Sequence, residues 1–177
     1  MRKLTGDELN RLSPQAFKEA KKNPCIIVLD NVRSRFNVGA VFRTADAFRV
    51  EAIYLCGITP VPPHREIRKT ALGAEETVAW KYFPSAEEAV LLLKAENRMI
   101  IVAEQTDCSI PLQHFNAPQN KSLALIFGNE VHGVSEAVIK LADASVEIPQ
   151  FGSKHSLNIA VSAAIVVWEF WKQVHQK

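Results

Sequence analysis

Apolar residues in this chain follow two rhythms. Short unbroken runs alternate with longer segments in which apolar positions recur every three or four residues. Cys25-Ile26-Ile27-Val28-Leu29 is the first run, and its length and β-branched content predict a buried strand. Val38, Val41, Phe42, Ala45 and Phe48 then line one face of a helix, for which Asn37 is the predicted cap. Further strands are predicted at Ala52–Cys56, Thr77–Phe83, Met99–Ala103, Ser122–Phe127 and Ala144–Ile148. Ser85 with Glu88 three residues later forms a capping-box pattern, so a helix runs from there to about Glu96. Another helix follows Ser135, and Gln105 to Gln119 reads as a polar loop. Continuous apolar strands alternating with helices predict an α/β fold. Its sheet is mostly parallel and covered by helices on both faces.

The two ends depart from this rhythm. Asp7 to Lys22 reads as helical, with a break at Ser13-Pro14 where Ser13 caps a second short helix. Residues 1–22 are therefore expected to be a helical arm and residues 23–177 a single domain. From Ser156 to Val174 a long helix is apolar almost all round in its middle, and such a helix needs burial on more than one side. A subunit interface is expected along it.

Composition narrows the classes. The 177 residues suffice for one sizeable core. The net charge of +2 permits a nucleic-acid partner without demanding one, because a patch matters more than a total. Cys25, Cys56 and Cys108 are widely spaced and form no Cys/His cluster, so neither a disulfide framework nor a metal site is expected. Met1 to Glu8 lacks an apolar signal region, and the apolar stretch Ile159–Trp171 is too short to span a bilayer. A cytoplasmic protein without a membrane contact is the expectation.

Chemistry is expected at the carboxyl ends of the strands, where open α/β sheets bind ligands. Three polar turns fall there: Asn31–Arg43, Gly128–Ser135 and Ile148–Asn158. The first runs into a helix start, where free N–H groups favour anions, and it adds Arg33, Arg35 and Arg43. Gly128 and Gly133 allow close backbone approach or positive φ. A second basic segment spans His64 to Thr70. Taken singly, each turn is more simply explained by an ordinary capped helix or a solvated loop.

Together, and in this order, the turns resemble the three motifs of the SpoU class of RNA ribose methyltransferases, in the SPOUT superfamily. The first is Asn37-Val38-Gly39-Ala40-Val41-Phe42-Arg43-Thr44-Ala45-Asp46. The second is Ile126-Phe127-Gly128-Asn129-Glu130-Val131-His132-Gly133-Val134. The third is Ile148-Pro149 followed by Ser156-Leu157-Asn158-Ile159-Ala160-Val161-Ser162. The resemblance runs from about Cys25 to the end of the chain, and P-loop and GxGxxG fingerprints are absent. It implies methylation of a ribose 2′-hydroxyl in RNA with S-adenosyl-L-methionine, a deep C-terminal trefoil knot and a homodimer. It also implies that Arg43, Asn37, Glu130, Ser156 and Asn158 occupy the polar catalytic positions. Gly128, Asn129, Ile148 and Leu157 are the implied cofactor contacts, with Gln105 and Thr106 nearby. Arg33, Arg35, Arg65, Arg68 and Lys69 are the candidates for RNA backbone contact. The short arm before Cys25 makes the chain similar to compact members of the class, which places tRNA ahead of rRNA as substrate. Two alternatives stay open at this point: a non-catalytic RNA-binding module that kept the fold, and an α/β enzyme for another nucleotide.

Overall fold

A computed structural model describes residues 1–5, 7–118 and 121–175. Gln119, the predicted end of the polar loop, lies outside the described residues. The strands are β1 (Asn23–Asp30), β2 (Val50–Cys56), β3 (Ala79–Phe83), β4 (Met99–Ala103), β5 (Ile110–Pro111), β6 (Leu123–Phe127) and β7 (Ala144–Glu147). The helices are α1 (Pro14–Glu19), α2 (Arg35–Ala47), α3 (Arg65–Ala71), α4 (Ala74–Thr77), α5 (Ala86–Ala95), α6 (Glu136–Leu141) and α7 (Ile159–His175). The strands form one sheet in the order β3-β2-β1-β6-β4-β7-β5, and every neighbouring pair is parallel.

Side chains alternate across β1, so its unbroken apolar run feeds two cores. Ile27 and Leu29 pack on one face with Val38, Val41 and Phe42 of α2 and with Val166 and Phe170 of α7. Ile26 and Val28 pack on the other with Ala89, Val90 and Leu93 of α5 and Val138 of α6. Cys25 and Cys56 are buried among these groups, and burial pushes both thiols up to about 12. Neither is a nucleophile near neutral pH. Cys108 is exposed.

Several local expectations change. The first predicted turn of the arm is a single 3-10 turn at Asp7–Leu9, and Leu9 and Leu12 are exposed. So few residues do not nucleate an α-helix. Ser13 does cap α1, accepting the Ala16 N–H at 3.2 Å, and Phe17 carries the arm into the main core. Asn37 does not cap α2. Ser34 does, accepting the Asn37 N–H at 3.3 Å, which leaves the Asn37 side chain free for other partners. The third strand begins at Ala79 because Thr77 ends α4 instead, its Oγ1 donating to Asp46 Oδ2 at 2.9 Å. The long polar loop contains β5 and a 3-10 turn at Leu112–His114. The last helix starts at Ile159, where Asn158 Oδ1 accepts the Ala160 N–H at 2.9 Å. Its inner face is buried, while Val161, Ile165 and Trp168 on the other side are exposed, Trp168 by 48%.

The sheet positions the site in a particular way. β6 inserts between β1 and β4, and β7 inserts between β4 and β5. The carboxyl ends of strands distant in sequence thereby lie side by side. Close helix packing adds to this: a Cβ at Gly39 of α2 would overlap the Ile67 carbonyl and Thr70 Oγ1 of α3.

Candidate active site

Adjacent carboxyl ends of β4, β6 and β7 open into a cleft of about 730 Å³. Gln105, Gly128, Asn129, Glu130, Ile148, Ser156, Leu157 and Asn158 all line it. Thr106 does not. Its side chain instead lies 3.7 Å from Cys108 Sγ, because the chain turns away immediately after Gln105.

The floor of the cleft is a turn that holds itself closed. The Asn129 N–H donates to the Gly133 carbonyl and the Gly133 N–H donates to the Asn129 carbonyl, each at 2.9 Å. Asn129 Oδ1 accepts the N–H groups of Val131 and His132, and its amide donates to the Asn31 carbonyl at 2.7 Å. Asn129 therefore ties this turn to the first polar turn, after β1. Gly133 sits at φ +68°, where side chains are disfavoured. Gly128 does not adopt positive φ. The space beside it is filled by the backbone of Gly133 and Val134, so the close approach it permits is to its own turn.

At the cleft's mouth one chain of hydrogen bonds joins all three motifs. Asn158 Nδ2 donates to Asn37 Oδ1 at 3.1 Å, and Asn37 Nδ2 donates to Glu130 Oε1 at 3.0 Å. Glu130 also accepts the Arg33 N–H at 3.0 Å and the Ser34 N–H at 3.1 Å. Burial favours the neutral acid at Glu130, but these backbone and amide donors outweigh it and hold the carboxyl below the ordinary carboxylate value. A depressed pKa and filled acceptor positions make Glu130 an organiser of the turn and a poor proton acceptor.

A carboxyl whose native pKa is depressed contributes stability that is complete above its unfolded value, 4.5, and is lost as pH falls through the native one. Between pH 6 and pH 3 the melting temperature of wild type is expected to fall further than that of Glu130→Gln. Equal slopes in a pH series of thermal melts would remove this role.

Arg43 stands apart. It lies six residues beyond Asn37, about 9 Å along the helix and on a different face. It is exposed, and its side chain makes no hydrogen bond or ion pair among the described residues. Neither Asn37 nor Glu130 has a side-chain hydrogen bond to Arg43 among the described residues; their side chains bond to each other, and Asn37 also to Asn158. Ser156 likewise lines the cleft without a hydrogen bond among the described residues. Of the basic candidates, Arg35 pairs with Glu66 at 3.4 Å and Arg68 with Glu76 at 3.6 Å. Arg33, Arg65 and Lys69 are exposed and form no ion pair among the described residues.

Two carboxylates were not singled out in the sequence. Asp30, buried at the end of β1, accepts the Ser135 N–H at 2.9 Å and the Asn31 amide at 2.8 Å. Glu104, just past β4, accepts the N–H groups of Val134 at 3.0 Å and Gln105 at 2.9 Å. Both stand at the carboxyl end of an apolar strand, a position that marks them as candidates without revealing their partners. Glu104→Ala leaves two N–H groups without acceptors, and a cost of roughly 1–3 kcal/mol is expected. Urea unfolding should show that loss.

The cleft fits a nucleoside with a charged amino-acid tail: its volume is in the range of small-molecule sites, and it combines Val134, Ile148 and Leu157 with backbone and amide groups. Among the described residues no group of three or more His, Cys, Asp and Glu side chains is placed to hold a metal ion, and no helix is long and apolar enough to cross a membrane.

Comparison with known proteins bears on the same residues. The model of the SpoU rRNA Methylase family matches residues 24–168. A 23S rRNA (guanosine-2′-O-)-methyltransferase of Neisseria meningitidis is 33% identical over 150 residues, which span 85% of this chain and 59% of that protein. A tRNA (guanosine(18)-2′-O)-methyltransferase of Aquifex aeolicus is 27% identical over 163 residues, spanning 90% of this chain and 74% of that one. The structure of an AdoMet-bound rRNA methyltransferase from Sinorhizobium meliloti superposes with a TM-score of 0.79 at 25% identity, covering 92% of this chain and 61% of the other.

Proposed function

This chain belongs to the SpoU rRNA Methylase family, and we propose from that membership that it methylates the 2′-hydroxyl of a ribose in RNA, using S-adenosyl-L-methionine. The observation that carries the reading is the Asn158–Asn37–Glu130 chain, which brings three motifs far apart in sequence to the mouth of one cofactor-sized cleft. A non-catalytic module would have no use for that assembly.

S-adenosyl-L-methionine supplies a methyl group activated by its sulfonium. The chain's own residues have to position it and make the ribose oxygen nucleophilic. Gly128, Asn129, Ile148, Leu157 and Gln105 hold the cofactor in the cleft. Arg43 grips the phosphate next to the target ribose and stabilises negative charge as it develops on the 2′-oxygen. A guanidinium scarcely deprotonates in a protein, so the proton leaves to phosphate or water and not to Arg43. Asn37, Glu130, Ser156 and Asn158 keep the turns around the ribose in place. Arg33, Arg35, Arg65, Arg68 and Lys69 contact the RNA backbone.

The partner is RNA, and tRNA is placed ahead of rRNA. Specific recognition targets unstacked loop nucleotides, and tRNA offers them free of ribosomal protein. Residues 1–22 act as an arm on the catalytic domain of residues 23–177, and the compartment is the cytoplasm. Family membership also supports a C-terminal trefoil knot, with the insertion of β6 and β7 between earlier strands as the observation in its favour. The exposed Val161, Ile165 and Trp168 face supports a homodimer along α7, and Phe48 at the end of α2 packs against Trp168 and Trp171 beside it. A second copy there would lie close to the helix that carries Arg43. Trp168→Glu is expected to give a monomer in sedimentation velocity, with transfer activity lost alongside; an unchanged dimer would move the interface elsewhere.

The test is methyl transfer from labelled S-adenosyl-L-methionine to separated tRNA and rRNA from a strain lacking the gene. Label in one fraction is expected. S-adenosylhomocysteine should raise the melting temperature, while ATP and NAD should not.

A further inference from the structure

A second cleft, of about 700 Å³, lies between α3, α4 and β3. β3 is the outermost strand of the sheet, and four of its five residues are exposed. Among them is Trp80, 37% exposed, on the face of the sheet that carries its register partner Ile53. Trp80 lines the cleft together with Arg65, Arg68 and Lys69.

A flat π surface rimmed by cations suits one chemical class well: an unstacked nucleotide, with its base on the ring and its phosphate on the basic groups. Glu75 and Glu76 also line the cleft, and Glu76 pairs with Arg68 at 3.6 Å with both side chains largely exposed. So exposed a pair exchanges readily for a phosphate partner. The two carboxylates disfavour a continuous duplex backbone across the cleft. They also offer acceptors for the amino groups of a base.

The cleft is joined to the candidate active site through direct packing. Thr70 Oγ1 of α3 donates to the Phe36 carbonyl of α2 at 2.9 Å, and Arg35 at the start of α2 reaches Glu66 of α3. α2 is also the helix that carries Asn37 and Arg43. An RNA strand leaving the target ribose over α2 therefore meets α3 next.

We propose that this cleft binds one unstacked nucleotide of the RNA substrate, with its base on Trp80 and its phosphate on Arg65, Arg68 and Lys69. The proposal rests on the reading of this protein as an RNA methyltransferase.

The test compares wild type, Trp80→Ala and Trp80→Phe for affinity to tRNA and deproteinised rRNA from the deletion strain, and for methyl transfer to each. Trp80→Ala is expected to weaken RNA binding about tenfold and to raise KM for RNA with little change in kcat, and Trp80→Phe to restore most of the loss. Arg68→Ala and Lys69→Ala should each reduce the slope of log affinity against log salt by about one. A Trp80→Ala protein with wild-type RNA affinity, KM and salt slope would overturn the assignment. Should that variant fold poorly, ultraviolet cross-linking of wild type to 4-thiouridine-substituted RNA gives a second reading. Cross-links in the Ala79–Phe83 peptide support the proposal, and cross-links confined to α2 overturn it. Wild type that methylates RNA while Trp80→Ala does so equally well removes only the cleft. Wild type that neither binds nor methylates RNA removes the functional reading as well.

Discussion

Replacing Arg43 with alanine is expected to lower the rate of methyl transfer by at least about a hundredfold while leaving affinity for S-adenosylhomocysteine unchanged. The two halves of that expectation have separate origins. Removing one preorganised donor from a site of developing oxyanion charge costs roughly 3–4 kcal/mol, which corresponds to a factor of a hundred or more in rate. The Arg43 side chain does not line the cleft and bonds to none of its residues, so nothing in the proposed cofactor site depends on it. Arg43→Lys is expected to recover little, because an ammonium lacks the planar fork that grips a phosphate from two directions. Loss of cofactor affinity in parallel with rate would mean that Arg43 belongs to the cleft and not to the ribose.

Gly128→Ala is the second large effect, and it acts on the other side of the reaction. A methyl group at this position would overlap the backbone of Gly133 and Val134, not a movable side chain. The turn cannot yield easily, because reciprocal 2.9 Å hydrogen bonds between Asn129 and Gly133 close it and Glu104 holds the Val134 N–H from behind. Forcing a group into such a space costs about 3 kcal/mol, at the upper end for overpacked sites. For a chain of this size that lowers Tm by roughly 6–12 °C. The floor of the cleft moves with the turn, so S-adenosylhomocysteine should no longer raise Tm at concentrations that stabilise wild type. A variant that melts lower yet responds normally to the ligand would place the cofactor away from this turn.

The parts of this architecture that rest on local pattern were legible in the sequence. Unbroken apolar runs such as Cys25–Leu29 and Leu123–Phe127 announce strands buried on both faces, and the two clusters packed on either side of β1 are what such runs require. Features set by distant partners were not legible. The pairing of β5 depends on Val146, some thirty-five residues away, and its two residues include a proline that breaks any strand pattern. Neither the insertion of β6 beside β1 nor that of β7 beside β4 leaves a local trace.

The site divides along the same line. Motif residues marked the three turns, and the structure brings Asn37, Glu130 and Asn158 into one hydrogen-bonded chain. Which serine or asparagine caps α2 turned on a difference of three residues, and Ser34 took the cap that the pattern assigned to Asn37. That exchange matters, since a capping Asn37 could not bridge the other two motifs. Asp30 and Glu104 stayed hidden because a lone carboxylate at a strand end is ordinarily a solvated loop residue. Their roles depend on backbone N–H groups of Ser135 and Val134, which no spacing in the sequence reveals.

The central claim is that the methyl group ends on a ribose 2′-oxygen, and alkaline hydrolysis of the labelled RNA tests it most directly. Alkali cleaves RNA through attack of the 2′-oxygen on the neighbouring phosphate, so a 2′-O-methyl group blocks cleavage at that one bond. RNA labelled by the wild-type protein from S-adenosyl-L-methionine should release its label in alkali-resistant dinucleotides, and the Arg43→Ala protein should yield almost none. Label appearing in mononucleotides instead would place the methyl group on a base and contradict the account.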